Sequence, residues 1–331
     1  MVTINEIAKL ANVSKSTISR YFNGGSVSPE TRKKIQVVVQ KTNYQPNAFA
    51  QSLKASVSPL VATVVPRLDG HSLNISLESI DEILYKNKNT LCLVNTTQDL
   101  NKEVESLEEL ERMKVGGIIL FATAVTDKLK KALSNIEIPV VVVGQKIDGI
   151  HCIRNDDYYA ARILAEYLLR LGHRKFLYFG VKKYDEAVGV YRQKGLFDIL
   201  QREGVEIEYQ ECEFLADYSK NEAMKILPDT NATCVVCATD NIALGVHRAC
   251  YELGINIPED LSICGFGGYR VGEMLSPSLT TVQIAFDQIG TCAAESLIDL
   301  MAHKTVPTDQ VFEGRLEIRE STKSIIDNTL K

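Results

Sequence analysis

Apolar and polar positions along this chain follow two different periods, and the change falls near residue 59. Before it, Ile4, Ile7, Ala8, Ile18, Ile35, Val38 and Val39 stand at helical spacing between polar stretches, the mark of short amphipathic helices. Thr3 precedes Glu6 by three positions, a capping box in which hydroxyl and carboxylate satisfy the free amides that open a helix, so a first helix is predicted from Ile4. Ala11-Asn12-Val13 reads as a turn and Ser14 as the cap of a second helix. Ser28 followed by Pro29 starts a third that runs through Ile35, Val38 and Val39. Ile7, Ala8, Val13, Ile18 and Ile35 are the predicted shared core.

After residue 59, β-branched apolar runs at 60–65, 91–94, 117–121, 140–143, 176–179, 234–237 and 262–266 read as strands, with amphipathic stretches between them. Strands apolar on both faces and separated by helices predict parallel sheet covered on both sides. About 270 residues of this pattern are more than one such unit normally holds. The polar break Arg154-Asn155-Asp156-Asp157 therefore predicts two lobes with ligand between them, the chain crossing near 155–157 and again near 284–286.

Charge separates the same two regions. Residues 1–60 hold eight Lys or Arg against two acids, a net +6, which leaves −11 for the rest of a 331-residue chain of net −5. Positive charge concentrated at one end of an acidic chain is the footprint of a phosphate-binding head. The eight cysteines are scattered through apolar runs and no basic-then-apolar leader is seen, so reduced thiols and a cytoplasmic setting are expected. Cys234-Val-Val-Cys237 has the spacing of a metal or redox pair, but in a strand positions three apart point to opposite faces, and a structural role is expected. No apolar run approaches the roughly 20 residues that span a bilayer.

In a helix-turn-helix the second helix enters the major groove, its N-terminal residues facing base edges; here those are Lys15, Ser16, Ser19 and Arg20. The Arg20 guanidinium can bridge guanine O6 and N7, worth roughly 1–3 kcal/mol of discrimination. Asn23 is a candidate backbone contact. The stretch after Pro46 reads helical but is too short to be stable alone, and Leu53 at its end fits either a minor-groove wedge or a contact with the body. In the body, ligands of open α/β sheets sit beyond strand carboxyl ends, which selects Arg67, Lys146, Thr239 and Gly267, with Arg192 added from a helical segment.

Val13-Ser14-x-x-Thr17-Ile18-Ser19-Arg20 and Asn43-Tyr44-x-Pro46-Asn47-x-x-Ala50-x-x-Leu53 resemble the head of the LacI/GalR repressor family. Leu171-Gly172-His173-Arg174-Lys175, Ala238-Thr239-Asp240-x-x-Ala243-Leu244-Gly245 and Pro277-x-Leu279-Thr280-Thr281-Val282 extend the resemblance through the chain. It implies a helix-turn-helix head (1–46), a hinge helix and linker (47–58) and a two-lobed α/β domain like the periplasmic binding proteins, with parallel sheets (59–331). It also implies a homodimer on a pseudo-palindromic operator in double-stranded DNA, touched by Thr3, Ser14, Lys15, Ser16, Thr17, Ser19, Arg20, Asn23, Asn47, Ala50, Leu53 and Lys54, with Leu53 inserted in the minor groove. Gln51 departs from the commoner arginine there.

Arg192 matches the family's effector-binding arginine, whereas Gly267 stands where many members carry an acid and Thr239 where many carry asparagine. Those departures imply a ligand different from that of the galactoside and purine branches. Val65-Pro66-Arg67-Leu68-Asp69 resembles trehalose regulators and Gly265-Phe266-Gly267-Gly268-Tyr269 resembles sucrose-operon repressors, so the implied effector is a disaccharide or its 6-phosphate. Arg67, Lys146 and Arg192 would supply positive charge to a phosphate. The expectation is a carbohydrate-operon repressor without catalysis, cofactor, metal or membrane contact. The segment 315–320 is too short for a heptad tetramerisation helix.

Three rivals are weaker. A dinucleotide fold needs Gly-x-Gly-x-x-Gly, and Arg270 takes the last glycine's place. Phe266-Gly-Gly-Tyr269 spells a sugar-kinase tetrapeptide, but no phosphate-gripping loop accompanies it. A periplasmic sugar-binding protein would share the body and lack the basic head.

Overall fold

The computed structural model describes residues 2–22, 25–44 and 58–326. The chain divides into two compact units, Met1–Ser58 and Pro59–Lys331.

In the first unit α1 (Ile4–Leu10), α2 (Lys15–Phe22) and α3 (Pro29–Thr42) begin where their caps place them. The Thr3 amide donates to Glu6 Oε2 at 2.7 Å and the Glu6 amide returns to Thr3 Oγ1 at 3.3 Å, closing the box. Ser14 Oγ accepts from the Thr17 amide at 3.2 Å, and Ser28 Oγ from the Thr31 amide at 3.3 Å with Pro29 at the first helical position. Asn12 turns the chain at φ +52°, a conformation that asparagine tolerates. Ile7, Ala8, Ala11, Ile18 and Ile35 form the core. Val13, expected inside, is half-buried and packs against the edge of this core, while Ala11, the C-cap that continues α1 in helical backbone, takes the inner position.

The second unit contains two six-stranded sheets. The first holds β1 (Leu60–Val65), β2 (Thr90–Asn95), β3 (Gly117–Phe121), β4 (Val140–Val143), β5 (His151–Asn155) and β11 (Asp309–Phe312) in the order β11-β5-β4-β3-β1-β2, every pairing parallel. The second holds β6 (Lys175–Val181), β7 (Glu206–Cys212), β8 (Cys234–Cys237), β9 (Ser262–Gly267), β10 (Thr280–Gln283) and β12 (Arg315–Glu317) in the order β12-β10-β9-β8-β6-β7. There only β12 runs antiparallel, against β10. The central strands are buried along most of their length, so helices must cover both faces, as Val, Ile and Leu at successive positions require.

β5 ends in the first sheet and β6 begins in the second, with the helix Asp157–Arg170 between them packing beside the second. After β10 the helix Phe286–Met301 returns to pack on the helix His71–Lys86 and on β3, β4 and β5. A further passage, unforeseen in the sequence, leads from β11 in the first sheet to β12 in the second through residues 313–314. Three segments therefore connect the two lobes, and the cleft lies between the strand ends that they join.

Candidate functional site

In the head, α2 presents Lys15, Ser19, Ser16 and Arg20 within an arc of about 140°, since each residue advances the helix by about 100°. Lys15, Ser16 and Arg20 are exposed, Ser19 is half-buried, and Ile18 on another face anchors the helix in the core. Thr3 and Ser14 serve as caps, and the Ser14 hydroxyl is also bonded to those of Ser16 and Thr17, both at 2.8 Å. Arg32 lies over the Tyr21 ring at 5.4 Å and braces α3 against α2. An exposed cationic and hydroxylic face on a capped helix is what phosphate and base-edge contacts require. Asn23, Asn47, Ala50, Leu53 and Lys54 lie outside the described residues.

In the body, two adjoining cavities of about 230 and 210 Å³ open between the lobes. Pro66, Arg67, Ser72 and Ala122 from the first lobe, Asp185, Val188 and Arg192 from the second, and Ile284 and Phe286 from a connecting segment line both. A third, of about 390 Å³, continues outward past Arg67 to Thr97, Gln98 and Glu213. Mostly apolar walls with a few fixed polar groups are the usual make-up of a small-molecule site.

Arg192 ends the π-helical turn Glu186–Arg192 and is buried. Its Nε donates to Asp157 Oδ1 at 2.9 Å, Nη2 donates to the same oxygen, Nη1 donates to the Ala238 carbonyl, and the guanidinium lies 4.9 Å from the centre of the Phe266 ring. Burial works against both charges and pushes the Asp157 carboxyl up, yet two donors meet one oxygen; the pairing keeps Arg192 charged. Three of the five guanidinium N–H groups are so used, leaving two for a ligand. Asp185 caps the same π-helical turn by accepting from the Val188 amide at 3.0 Å, and Gln145 reaches it from the opposite lobe at 3.4 Å. Burial raises the Asp185 carboxyl above its ordinary value. Asn155 lines the inner cavity, its buried amide facing Asp157 without a hydrogen bond of ordinary geometry on either side-chain atom.

Arg67 lies 5.5 Å from the centre of the Phe214 ring and its Nε is 3.5 Å from Asp69, a carboxylate that is itself largely exposed. Thr239 borders the second cavity, but its hydroxyl already accepts from the Ile242 amide at 3.3 Å as a helix cap. Two expectations are corrected. Lys146 does not line these cavities: it sits one residue past Gln145, which takes the inward position, and its ammonium pairs with Asp309 at 3.3 Å beside Arg154, which binds that carboxylate through Nε and Nη2, both at 3.0 Å. Gly267 is not among the residues that line these cavities; its backbone takes φ +145°. Asn155 and Asp157 were visible in sequence only as a polar break, whereas Gln145, like Lys146, is legible as a polar residue just after the strand run 140–143; Asp185 and Phe214 carried no local signal.

The eight cysteines are free, and burial pushes the Cys212 and Cys250 thiols up to about 12, which keeps them protonated and unreactive. Among the described residues no cluster of His, Cys, Asp or Glu could hold a metal ion, and no helix is long and apolar enough to cross a membrane.

A helix-turn-helix head and a two-lobed α/β body with a mostly apolar cleft that holds a few fixed polar groups, on one chain, define a ligand-responsive DNA-binding regulator. Residues 3–47 match the bacterial regulatory proteins of the lacI family, and residues 165–322 match the periplasmic binding protein-like domain. The sucrose operon repressor of Staphylococcus xylosus is 35% identical over 325 residues, 96% of this chain and 98% of that one, and the chain belongs to the LacI family. Catabolite control protein A of the same organism is 30% identical over 336 residues, 97% of this chain and 99% of that one. The crystal structure of the lac repressor dimer bound to operator and the anti-inducer ONPF has the same fold, with a TM-score of 0.87, 24% identity and coverage of 97% of this chain and 99% of that one.

Proposed function

We propose that this chain is a homodimeric repressor of a carbohydrate-utilisation operon that leaves its pseudo-palindromic operator when a disaccharide of the sucrose type, or its 6-phosphate, occupies the cleft. Residues 1–46 read the operator, 47–58 form the hinge helix and linker, and 59–331 bind sugar and pair the protomers. Lys15, Ser16, Thr17, Ser19 and Arg20 meet base edges and phosphates, with Thr3, Ser14, Asn23, Asn47, Ala50 and Lys54 on the backbone and Leu53 in the minor groove. Arg67, Arg192 and Thr239 are the sugar-facing residues retained from the sequence, to which Asn155, Asp185 and Gln145 are added. The protein acts in the cytoplasm by binding alone, without catalysis. The observation that carries this reading is the cleft's mixture of a paired, buried Arg192 with two spare donors and a loosely paired Arg67 at the outer end. Fixed donors suit sugar hydroxyls, and a loosely paired guanidinium suits a phosphate.

Trehalose 6-phosphate is a second reading, favoured by the Pro66-Arg67-Leu68-Asp69 turn beside Phe214. Calorimetric titration with sucrose, trehalose and their 6-phosphates decides between them. Arg67→Ala is expected to weaken the phosphorylated form about tenfold, the equivalent of a lost charge-assisted bond, and the free sugar by much less. Silence towards all four sugars would refute the sugar reading.

A further inference from the structure

The glycine pair after β9 leaves space that the following residue fills. Gly267 takes φ +145° and Gly268 φ +74°, and a Cβ on Gly267 would stand 2.7 Å from the Tyr269 ring. The volume that a side chain at 267 would occupy is thus filled by the tyrosine that follows. The turn is pinned from below: Asp240 Oδ2 accepts from the Gly268 amide at 2.7 Å and the Tyr269 amide at 2.9 Å, while Asp240 Oδ1 accepts from the Thr281 hydroxyl at 2.7 Å. These bonds satisfy a carboxylate that burial would otherwise leave costly.

So held, Tyr269 reaches out of its own lobe. Its ring lies 5.3 Å, centre to centre and tilted 37°, from that of His71, the first residue of the helix His71–Lys86 in the other lobe. Phe286, on the segment that returns between lobes, lies 6.2 Å away on the same tyrosine ring, and the hydroxyl points toward Ser72. Tyr269 is 7% exposed and also borders the second cavity, so its packing between the lobes and its edge on the cleft belong to the same ring.

We propose that Tyr269 is a positioning residue that bridges the two lobes through His71 and so presets the closed cleft before sugar arrives. Because the cavities are walled by both lobes, only the closed arrangement presents all the sugar contacts, and a bridge that raises its population raises apparent affinity for any sugar by the same factor. A residue touching sugar directly would instead discriminate between sugars. The affinity half of this inference rests on the sugar reading; the bridge itself does not.

The test uses the full-length chain. Tyr269→Ala removes the bridge, and His71→Ala removes its other end at an exposed position where folding is not at risk. Without sugar, amide hydrogens of residues 71–76 are expected to exchange faster in both variants, while those of β6 and β8 keep their protection. A purely local packing role for Tyr269 would leave the opposite lobe unchanged. Sucrose and sucrose 6-phosphate are expected to lose affinity by an equal factor, about tenfold for Tyr269→Ala given what an aromatic pair contributes. Unchanged exchange at 71–76 in both variants overturns the bridge. Unequal losses for the two sugars overturn the positioning role in favour of direct contact. If the unaltered protein binds neither sugar, the sugar reading falls and the exchange result alone judges the bridge.

Discussion

At the scale of single residues, the cleft sets near the buried Arg192 two acids that are not equivalent, Asp157 buried and Asp185 half-buried. Asp157 is tied to Arg192, so Arg192→Ala would strand a carboxylate at a cost of about 3–5 kcal/mol. That substitution confuses folding with binding, which is why Arg67 is the better probe of the ligand. Asp185 has no cation bonded to it; burial raises its pKa, and an amide and Gln145 are its hydrogen-bond donors. A carboxyl whose folded value lies above its unfolded one penalises the fold once pH exceeds the folded value, and the penalty fades as pH falls toward the ordinary range near roughly pH 4. Asp185→Asn keeps an oxygen to cap the Val188 amide and removes the charge. It is expected to raise the melting temperature at pH 7 by roughly 1–4 °C, with the gain shrinking on acidification. A variant less stable than the parent at neutral pH would mean that the carboxylate is held ionised by something stronger than these two donors.

At the scale of elements, legibility followed burial. β1, β3, β4 and β8 occupy the very positions predicted, because strands covered on both faces must be apolar at every position. β7 escaped notice because Glu206-Ile-Glu-Tyr-Gln-Glu-Cys212 is an edge strand with polar residues facing water, and β10 and β11 because Thr280-Thr-Val-Gln283 and Asp309-Gln-Val-Phe312 are polar at half or more of their positions and give no apolar run. In the cleft, Arg67 and Thr239 were legible from their places after strands, whereas the inward turn of Gln145 in place of Lys146 depends on local backbone direction. Tyr269 was illegible as a bridge, since its partner His71 is nearly 200 residues away in the sequence. Residues 47–57 lie outside the described residues, and a helix of so few residues is marginal in water unless something holds it. Leu53→Ala is accordingly expected to weaken operator binding by roughly 1–3 kcal/mol and to leave sugar affinity unchanged. Fluorescence anisotropy with labelled operator, alongside sugar titration, measures both; equal loss of both would contradict a wedge in the minor groove.

At the scale of the whole molecule, operator and sugar are coupled only if each favours a different arrangement of the chain, and that coupling must be reciprocal. If saturating sugar weakens operator binding by some factor, typically about 5- to 150-fold for a coupling of 1–3 kcal/mol, then saturating operator must weaken sugar binding by the same factor. The two measurements are independent: anisotropy of labelled operator with and without sugar, and calorimetry of sugar with and without unlabelled operator duplex. Salt separates the contributions further, because with phosphate contacts made by the cationic head the logarithm of the affinity falls linearly with the logarithm of salt concentration, whereas sugar binding releases few ions. Raising salt should therefore lower operator affinity steeply in both the free and the sugar-bound protein while leaving their ratio nearly constant. A ratio that collapses with salt would place the switch in the head's phosphate contacts. A sugar affinity indifferent to operator would show that the cleft and the DNA-reading head do not communicate.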